Sequence, residues 1–166
     1  MPVDAKRREE VAALIDPLLL SDNTSLQHAA VDAIQGWGTK KNIPTLLKLL
    51  EYQNHSDRDR AMKALGAIGG SKEAAHAVAA RLLVSADRYD AEKSLSKMGA
   101  YAEEVIWQYV GSADDQVHRA ACGVLGDVGT TKSLLKLRGL RRDSSSYRQS
   151  ALESAQKEMQ KRLVKK

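Results

Sequence analysis

The apolar positions of this sequence recur with a period of about thirty residues. A small residue leads each copy, and a larger apolar residue follows four positions later in most copies. The leading residues are Ala30, Ala61, Ala91, Ala121 and Ala151. The residues four positions on are Ile34, Leu65, Leu95, Leu125 and Ala155. Offsets of 0, +4 and +7 lie on one face of a helix, so each copy is predicted to be an amphipathic helix with one buried stripe.

A second apolar segment separates each copy from the next. Examples are KKNIPTLLKLLEY at 40–52 and SKEAAHAVAARLLV at 71–84. Neither helix of such a pair buries its stripe alone, so successive pairs are predicted to stack. We therefore expect an all-α protein, a right-handed α-solenoid of about five stacked helical hairpins. A single domain, 1–166, is predicted to hold repeats at 4–38, 39–69, 70–99, 100–129 and 130–163.

Most copies close on a glycine. These glycines are Gly38, Gly69, Gly99 and Gly129. A residue just past the end of a helix often adopts positive φ, which glycine tolerates without steric cost. The spacing therefore predicts that all four are C-caps with positive φ.

The strings AMKALGAIG at 61–69 and ACGVLGDVG at 121–129 resemble short HEAT repeats. They are similar to the thirty-residue class known from phycobilin-lyase-type proteins, whose consensus runs close to AAxALGxIG. The fifth copy departs from it by losing the leucine and the glycine, which suits a terminal cap. The resemblance covers roughly residues 5–160 and implies an armadillo-type superhelix. Members of this family perform unrelated functions, so the resemblance specifies architecture more closely than activity.

Composition agrees with a folded helical protein. Hydrophobic residues make up 43% of the chain and aromatic residues 4%. The single cysteine, Cys122, forms no intramolecular disulfide, which favours a reducing compartment. No stretch approaches the ~20 continuous apolar residues that a membrane span requires. We therefore expect a soluble, cytoplasmic monomer whose residues make no membrane contact.

Catalytic and metal-binding patterns are missing from the sequence. The di-iron hydroxylases that resemble this fold carry His-Glu pairs, whereas none of the four histidines here precedes a glutamate. There is no second cysteine to complete a metal site, no G-x-S-x-G motif and no phosphate-binding glycine loop. We expect a non-catalytic protein without metal or cofactor.

The solvent-facing columns follow from the helical angle. Offsets of −2, +2 and +5 from each leading alanine lie roughly opposite the buried stripe, and −3 lies at its edge. In HEAT-like solenoids the second helix of each pair lines the concave side, and the resemblance carries this over. The predicted binding strip on that side is Arg58, Lys63, Arg88, Tyr89, Lys93 and Arg119. Gly123, on the same side, is predicted to let a partner backbone approach closely.

The distribution of charged residues along the sequence indicates which class of partner the protein binds. Residues 132–166 hold eleven basic and three acidic residues, whereas the remainder is slightly acidic. The strip favours a protein or peptide with an acidic segment, so the leading hypothesis is an interaction scaffold, alone or as one module of a larger protein. The calculated pI of about 9.3 keeps nucleic-acid binding as an alternative. A relative of the chromophore lyases is a second alternative, by fold analogy alone.

Overall fold

The computed structural model describes residues 4–140 and 146–164, and this part of the chain contains ten α-helices and no strand. The helices are α1 Ala5–Ile15, α2 Thr24–Trp37, α3 Ile43–Leu49, α4 His55–Ile68, α5 Lys72–Ala80, α6 Arg88–Leu95, α7 Ala100–Val110, α8 Asp115–Val128, α9 Thr131–Arg138 and α10 Ser146–Val164. Short 3₁₀ turns at Asp16–Leu20, Lys40–Asn42 and Arg81–Leu83 extend α1, α3 and α5.

The helices form two rows. Each odd-numbered helix packs against the even-numbered helix that follows it, which gives the pairs α1–α2, α3–α4, α5–α6, α7–α8 and α9–α10. Each even helix also packs against the next even helix along the chain. We call α2, α4, α6, α8 and α10 the even row, and the contact between consecutive members a seam. This stacking confirms the predicted all-α solenoid.

The repeating alanines and leucines form the core between the rows. Ala61, Ala91 and Ala121 are completely buried, and so are Leu65 and Leu125 four positions later. An alanine side chain lets two helices approach closely, while each buried leucine contributes about 1.5–3 kcal/mol. One alanine and one leucine per pair therefore bring the rows together and fill the space between them.

The fifth copy buries a narrower stripe. Helix α10 buries Leu152, Ala155 and Met159, and the predicted Ala151 is only half-buried. Ala155 keeps the buried position four residues after the leading alanine, so the register of the repeat is retained. Ser150 and Ser154 lie at positions that are buried in α8 but are exposed in α10.

The closing glycines serve two different purposes. Gly69 ends α4 with a φ of 83°, as predicted for a C-cap. Gly99 has a positive φ of 58°, but it precedes α7 as its N-cap, because α6 already ends at Leu95. Gly38 and Gly129 have φ values of −61° and −60°, so the prediction of positive φ is wrong for these two. Glycine is favoured at these two positions because there is no room for a side chain. A Cβ at Gly38 would overlap Ile34, and a Cβ at Gly129 would overlap Met159.

Candidate interaction surface

Arg58 lies in the seam between α4 and α6, where every nitrogen of its guanidinium is used. Its Nε and Nη2 donate to the two carboxylate oxygens of Asp87, at 2.9 and 2.8 Å. Its Nη1 donates to the backbone carbonyls of Tyr52 and Gln53, both at 2.7 Å. The residue is only 8% exposed. This arginine therefore ties the α3–α4 turn to the next helix pair.

Asp87 is completely buried at the start of α6 and receives two arginines. Arg81 adds donors from its Nε and Nη2 at 2.8 and 2.5 Å. Burial alone would raise the pKa of Asp87, but the hydrogen bonds from Arg58 and Arg81 outweigh it and hold the pKa below its ordinary value. The carboxylate thus stays charged, which suits its place at a helix N-terminus.

Equivalent polar bridges cross the other seams. In the first seam, Nε2 of His28 lies 2.7 Å from the Asp57 carboxylate. In the third, Arg88 donates to the Leu82 carbonyl at 2.8 Å and to Asp114 at 3.2 Å. The fourth seam has Arg148 donating to the Ser112 carbonyl at 2.8 Å. The three arginines that precede a leading alanine by three residues, and His28 in the next column, therefore bind neighbouring helix pairs together.

Two members of the predicted strip are thus not on the open surface. The prediction that Arg58 and Arg88 present their charge to solvent is wrong, because both guanidiniums are bonded across seams. The prediction failed because both arginines lie three residues before a leading alanine, and the helical angle places that position at the edge of the buried stripe. That edge is covered when the next pair stacks against it.

The other four members of the strip do reach solvent. Lys63, Tyr89, Lys93 and Arg119 are exposed on the even row, with Tyr89 at 67%. Lys63 donates to Asp59 one turn earlier at 2.7 Å, and the Lys93 ammonium lies 5.7 Å from the centre of the Tyr89 ring. The exposed cations of the predicted strip thus lie one each on α4, α6 and α8.

Acidic side chains balance the α4–α6 part of this face. Asp90 lies near Asp59, and Nε2 of His55 is 3.4 Å from the Asp90 carboxylate. Burial raises the pKa of Asp90, and the negative charge of Asp59 raises it further. Because these acids offset Lys63, the charge here is mixed rather than uniformly basic.

A groove of about 310 Å³ lies on the same face between α8 and α10. Its lining is Arg119, Gly123, Tyr147, Ser150, Ala151, Ser154 and Ala155. Arg119 is the one charged residue in this lining. The Tyr147 hydroxyl accepts a hydrogen bond from Gln116 at 3.2 Å on the rim. The residues that α10 contributes after Tyr147 are serines and alanines with small side chains, so the groove combines an accessible guanidinium with hydroxyl groups.

Glu92 lies beside the groove and explains Gly123. A Cβ at Gly123 would overlap Oε1 of Glu92, whose side chain crosses from α6 onto α8. Burial raises the pKa of Glu92, although the charge of Arg119 partly offsets this. The space above Gly123 that was predicted for a partner backbone is therefore occupied by the protein's own carboxyl group.

The buried thiol and imidazole of α8 are held by internal contacts. The Cys122 sulfur lies 3.6 Å from Nε2 of His118, whose Nδ1 is 2.6 Å from the Val110 carbonyl oxygen. Burial raises the pKa of Cys122 to about 12. A thiol with this pKa is a poor nucleophile at neutral pH. No group of three or more His, Cys, Asp or Glu side chains in 4–140 and 146–164 is arranged to hold a metal ion.

Comparison with known proteins agrees with this architecture. A family model described as HEAT repeats matches residues 11–96, more than half of the 166-residue chain. The chain belongs to the HEAT-repeat family. The bridged seams are therefore the junctions between HEAT repeats, and the predicted resemblance to HEAT repeats is confirmed.

A solved structure extends the likeness of this HEAT-repeat protein to its whole length. The crystal structure of an engineered protein, a target of the Northeast Structural Genomics Consortium, matches with a TM-score of 0.53. The match covers 95% of this chain and 85% of the engineered one, at 17% sequence identity. At that identity the likeness concerns the fold alone. A search of curated proteins finds no match. Among the described helices, none is long and apolar enough to cross a bilayer.

Sequence reasoning missed most of the groove. Tyr147, Ser150 and Ser154 of α10 lie at offsets −4, −1 and +3 from Ala151, which were not among the columns predicted to face solvent. The loss of the consensus leucine in the fifth copy was the available sign that this helix packs differently from the others. From the sequence, Glu92 was only one of several acidic residues between the basic residues of the strip. Its contact with Gly123 involves two helices, α6 and α8, so the helical angle of either helix alone does not predict it.

Proposed function

We propose that this HEAT-repeat scaffold is a non-catalytic interaction module that binds an acidic segment of a partner protein. The bound segment lies on the exposed face of the even row, with its anchoring carboxylate in the groove between α8 and α10. The observation that carries the proposal is the groove itself, whose single charged lining residue is the exposed Arg119.

The chemistry of the groove suits a carboxylate side chain. An arginine guanidinium donates two parallel hydrogen bonds to a carboxylate, and such charge-assisted bonds are about twice as strong as neutral ones. Tyr147, Ser150 and Ser154 add hydroxyl donors around it. The volume of about 310 Å³ is at the lower end for ligand pockets, which fits one or two side chains of a peptide.

The rest of the strip supports an extended partner. Tyr89 and Lys93 lie on the neighbouring α6, and Tyr and Arg are favoured anchors of protein interfaces. Asp59, Asp90 and Glu92 lie on the same face and repel a uniformly charged phosphate backbone. A phosphate backbone carries a charge at every nucleotide, whereas a peptide places its carboxylates at Arg119 and uncharged residues opposite these acids. The acids therefore favour a protein segment with localised acidic charge over nucleic acid, which was the alternative drawn from the sequence.

Binding of a fluorescein-labelled peptide rich in aspartate and glutamate tests the proposal. We expect saturable anisotropy at about 50 mM salt that weakens as salt rises. Arg119→Glu should lower the affinity at least about tenfold, because it puts a like charge at the anchor. Arg88 is unsuitable as a binding variant, because it also bridges a seam through its bond to Asp114.

Arg138→Glu is the matched control. Arg138 is exposed at the end of α9, away from the groove, and the substitution changes net charge equally. If both variants weaken binding to the same degree, attraction is only through net charge and the groove is not the site. A labelled duplex DNA that binds more tightly than the peptide would instead support the nucleic-acid alternative.

A further inference from the structure

Glu92 departs from the repeat at a position that is otherwise part of the core. It follows the leading alanine of its copy by one residue. The residues at this position in the other four copies are apolar and buried, namely Val31, Met62, Cys122 and Leu152. Glu92 is instead a half-buried acid, and none of the described residues donates a hydrogen bond to its carboxyl group. Burying an ionisable group without such a partner costs stability.

Gly123 departs from the repeat on the other side of the same seam. The position two residues after each leading alanine holds an exposed charged residue in the other four copies, namely Asp32, Lys63, Lys93 and Glu153. In α8 it holds Gly123, against which the carboxyl group of Glu92 lies. The two departures are therefore complementary, because the missing side chain on α8 leaves the space that the acid of α6 occupies.

This complementary pair lies at the groove. Gly123 lines the groove together with Arg119, which lies one turn earlier on α8. The charged groups that act on Glu92 are Arg119 and Asp127 of α8 and Lys93 of its own helix. Arg119 exerts the largest effect of the three. Glu92 and a ligand carboxylate bound at Arg119 are thus like charges beside the same guanidinium.

We propose that Glu92 determines which anions the groove accepts. This inference rests on the proposed binding of a carboxylate at Arg119. A negative charge beside the anchor weakens the binding of every anion, and the penalty grows with the charge of the ligand. An aspartate or glutamate side chain carries one negative charge, whereas phosphoserine carries between about 1.5 and 2. The groove therefore admits an acidic side chain and discriminates against a phosphorylated one.

The charge of the ligand sets the size of this discrimination. Coulomb energy is proportional to charge, so doubling the ligand charge squares the fold-change in affinity. A penalty of about threefold for a carboxylate thus becomes about tenfold for a phosphoryl dianion. Removing the charge of Glu92 should consequently help a phosphorylated ligand more than an acidic one.

Displacement of the labelled acidic peptide measures this selectivity on the full chain. The competitors are two short peptides with a single acidic residue, which is glutamate in one and phosphoserine in the other. At about pH 8 the phosphoryl group is a dianion, and alkaline pH also favours the ionised form of Glu92, whose pKa is raised by burial. Glu92→Gln should raise the affinity about threefold for the glutamate peptide and about tenfold for the phosphoserine peptide.

Asp127→Asn is the matched control, because it removes the same charge from α8 about 12 Å beyond Arg119 along the helix. At that distance salt screens the charge, so each affinity should change by less than about twofold. If Glu92→Gln changes both affinities by the same factor, or changes neither, this inference is overturned and the proposed function stands. A labelled peptide that does not bind, or that binds Arg119→Glu equally well, overturns the proposed function and this inference together.

Glu92→Met separates a role in selectivity from a role in stability. Methionine is the buried residue at the same position of α4, so this substitution restores the apolar column. The variant should melt at a higher temperature than the parent, and it should bind the phosphoserine peptide as Glu92→Gln does. A lower melting temperature with unchanged selectivity would show that Glu92 only stabilises the seam, and would overturn the inference.

Discussion

Arg58 and Arg119 occupy adjacent columns of the repeat, yet they lie in different parts of the molecule. Arg58 precedes its leading alanine by three residues and is buried in a seam, bonded to Asp87. Arg119 precedes the leading alanine of its copy, Ala121, by two residues and is exposed at the groove. One residue turns a helical side chain by roughly 100°, enough to move it from a seam to solvent. The same kind of charge therefore stabilises the stack in one column and is available to a partner in the next.

The comparison extends to glycines and aspartates. Gly66 and Asp87 lie in a seam, whereas Gly123 and Asp90 lie toward the open face. A seam residue is surrounded by the backbone and buried groups of the next pair, while a residue of the open face meets side chains that are able to move aside. Substitutions at matched positions should therefore separate the two environments.

The largest expected difference is between the two arginines. Arg58→Ala removes one partner of a buried ion pair, which should lower the free energy of unfolding by about 3 kcal/mol. Arg119→Ala should change it by less than about 0.5 kcal/mol, as exposed positions generally do. Urea unfolding followed by circular dichroism measures both.

Arg58→Lys serves as a control, because it keeps the charge but loses the two-pronged contact with Asp87. Its stability should fall between those of the parent and Arg58→Ala. Equal effects of Arg58→Ala and Arg119→Ala would show that the seam bridge does not stabilise the stack.

A smaller difference is expected between the two glycines. A Cβ at Gly66 would lie 3.1 Å from the Ser94 carbonyl oxygen and 3.2 Å from the Ser94 Cα. Gly66→Ala should therefore push α4 and α6 apart and cost about 1–3 kcal/mol. At Gly123 the obstacle is the end of the Glu92 side chain, which is able to swing out.

Gly123→Ala should consequently be neutral or stabilising by up to about 1 kcal/mol, since alanine favours a helix. Thermal unfolding of both variants measures this contrast. A large loss of stability in Gly123→Ala would mean that Glu92 is held as firmly as a seam residue.

The smallest and most specific difference concerns pH. The pKa of Asp87 is below its ordinary value of 3.8. Its stabilising contribution is therefore present at neutral pH and is lost as pH falls through the folded-state pKa. The stability difference between the parent and Asp87→Asn should thus be largest at neutral pH and shrink in strong acid.

Asp90 should behave in the opposite sense. Its pKa is above 3.8 through burial and the charge of Asp59, so the ionised form opposes folding at neutral pH. Asp90→Asn should be more stable than the parent at neutral pH, and this gain should vanish on acidification before the loss at Asp87 begins. Chemical unfolding across a pH series compares the two, and a same-sign pH dependence would contradict the assignment.

Most of the fold was predictable because it depends on short-range spacing. The alanine and leucine columns recur every thirty residues and predict the helices, their buried stripes and their stacking. Exposure of Lys63, Tyr89, Lys93 and Arg119 also followed from the helical angle alone. Arg58 and Arg88 did not follow, because their burial depends on Asp87 and Asp114 in the next pair.

The candidate groove depended even more on contacts between distant residues. It lies between α8 and α10, where Ser150 and Ser154 line it together with Arg119 and Gly123. No single helix contains this information.

By itself, the sequence determined the helices, the residues that face the core and the membership of a repeat family. Helical geometry fixes the direction of each side chain relative to its own axis, and a periodic sequence repeats that direction in every copy. Tertiary structure decided which edge residues become buried and where the groove opens. Those features depend on how neighbouring helices rotate and approach, and that is set by packing between residues about thirty positions apart.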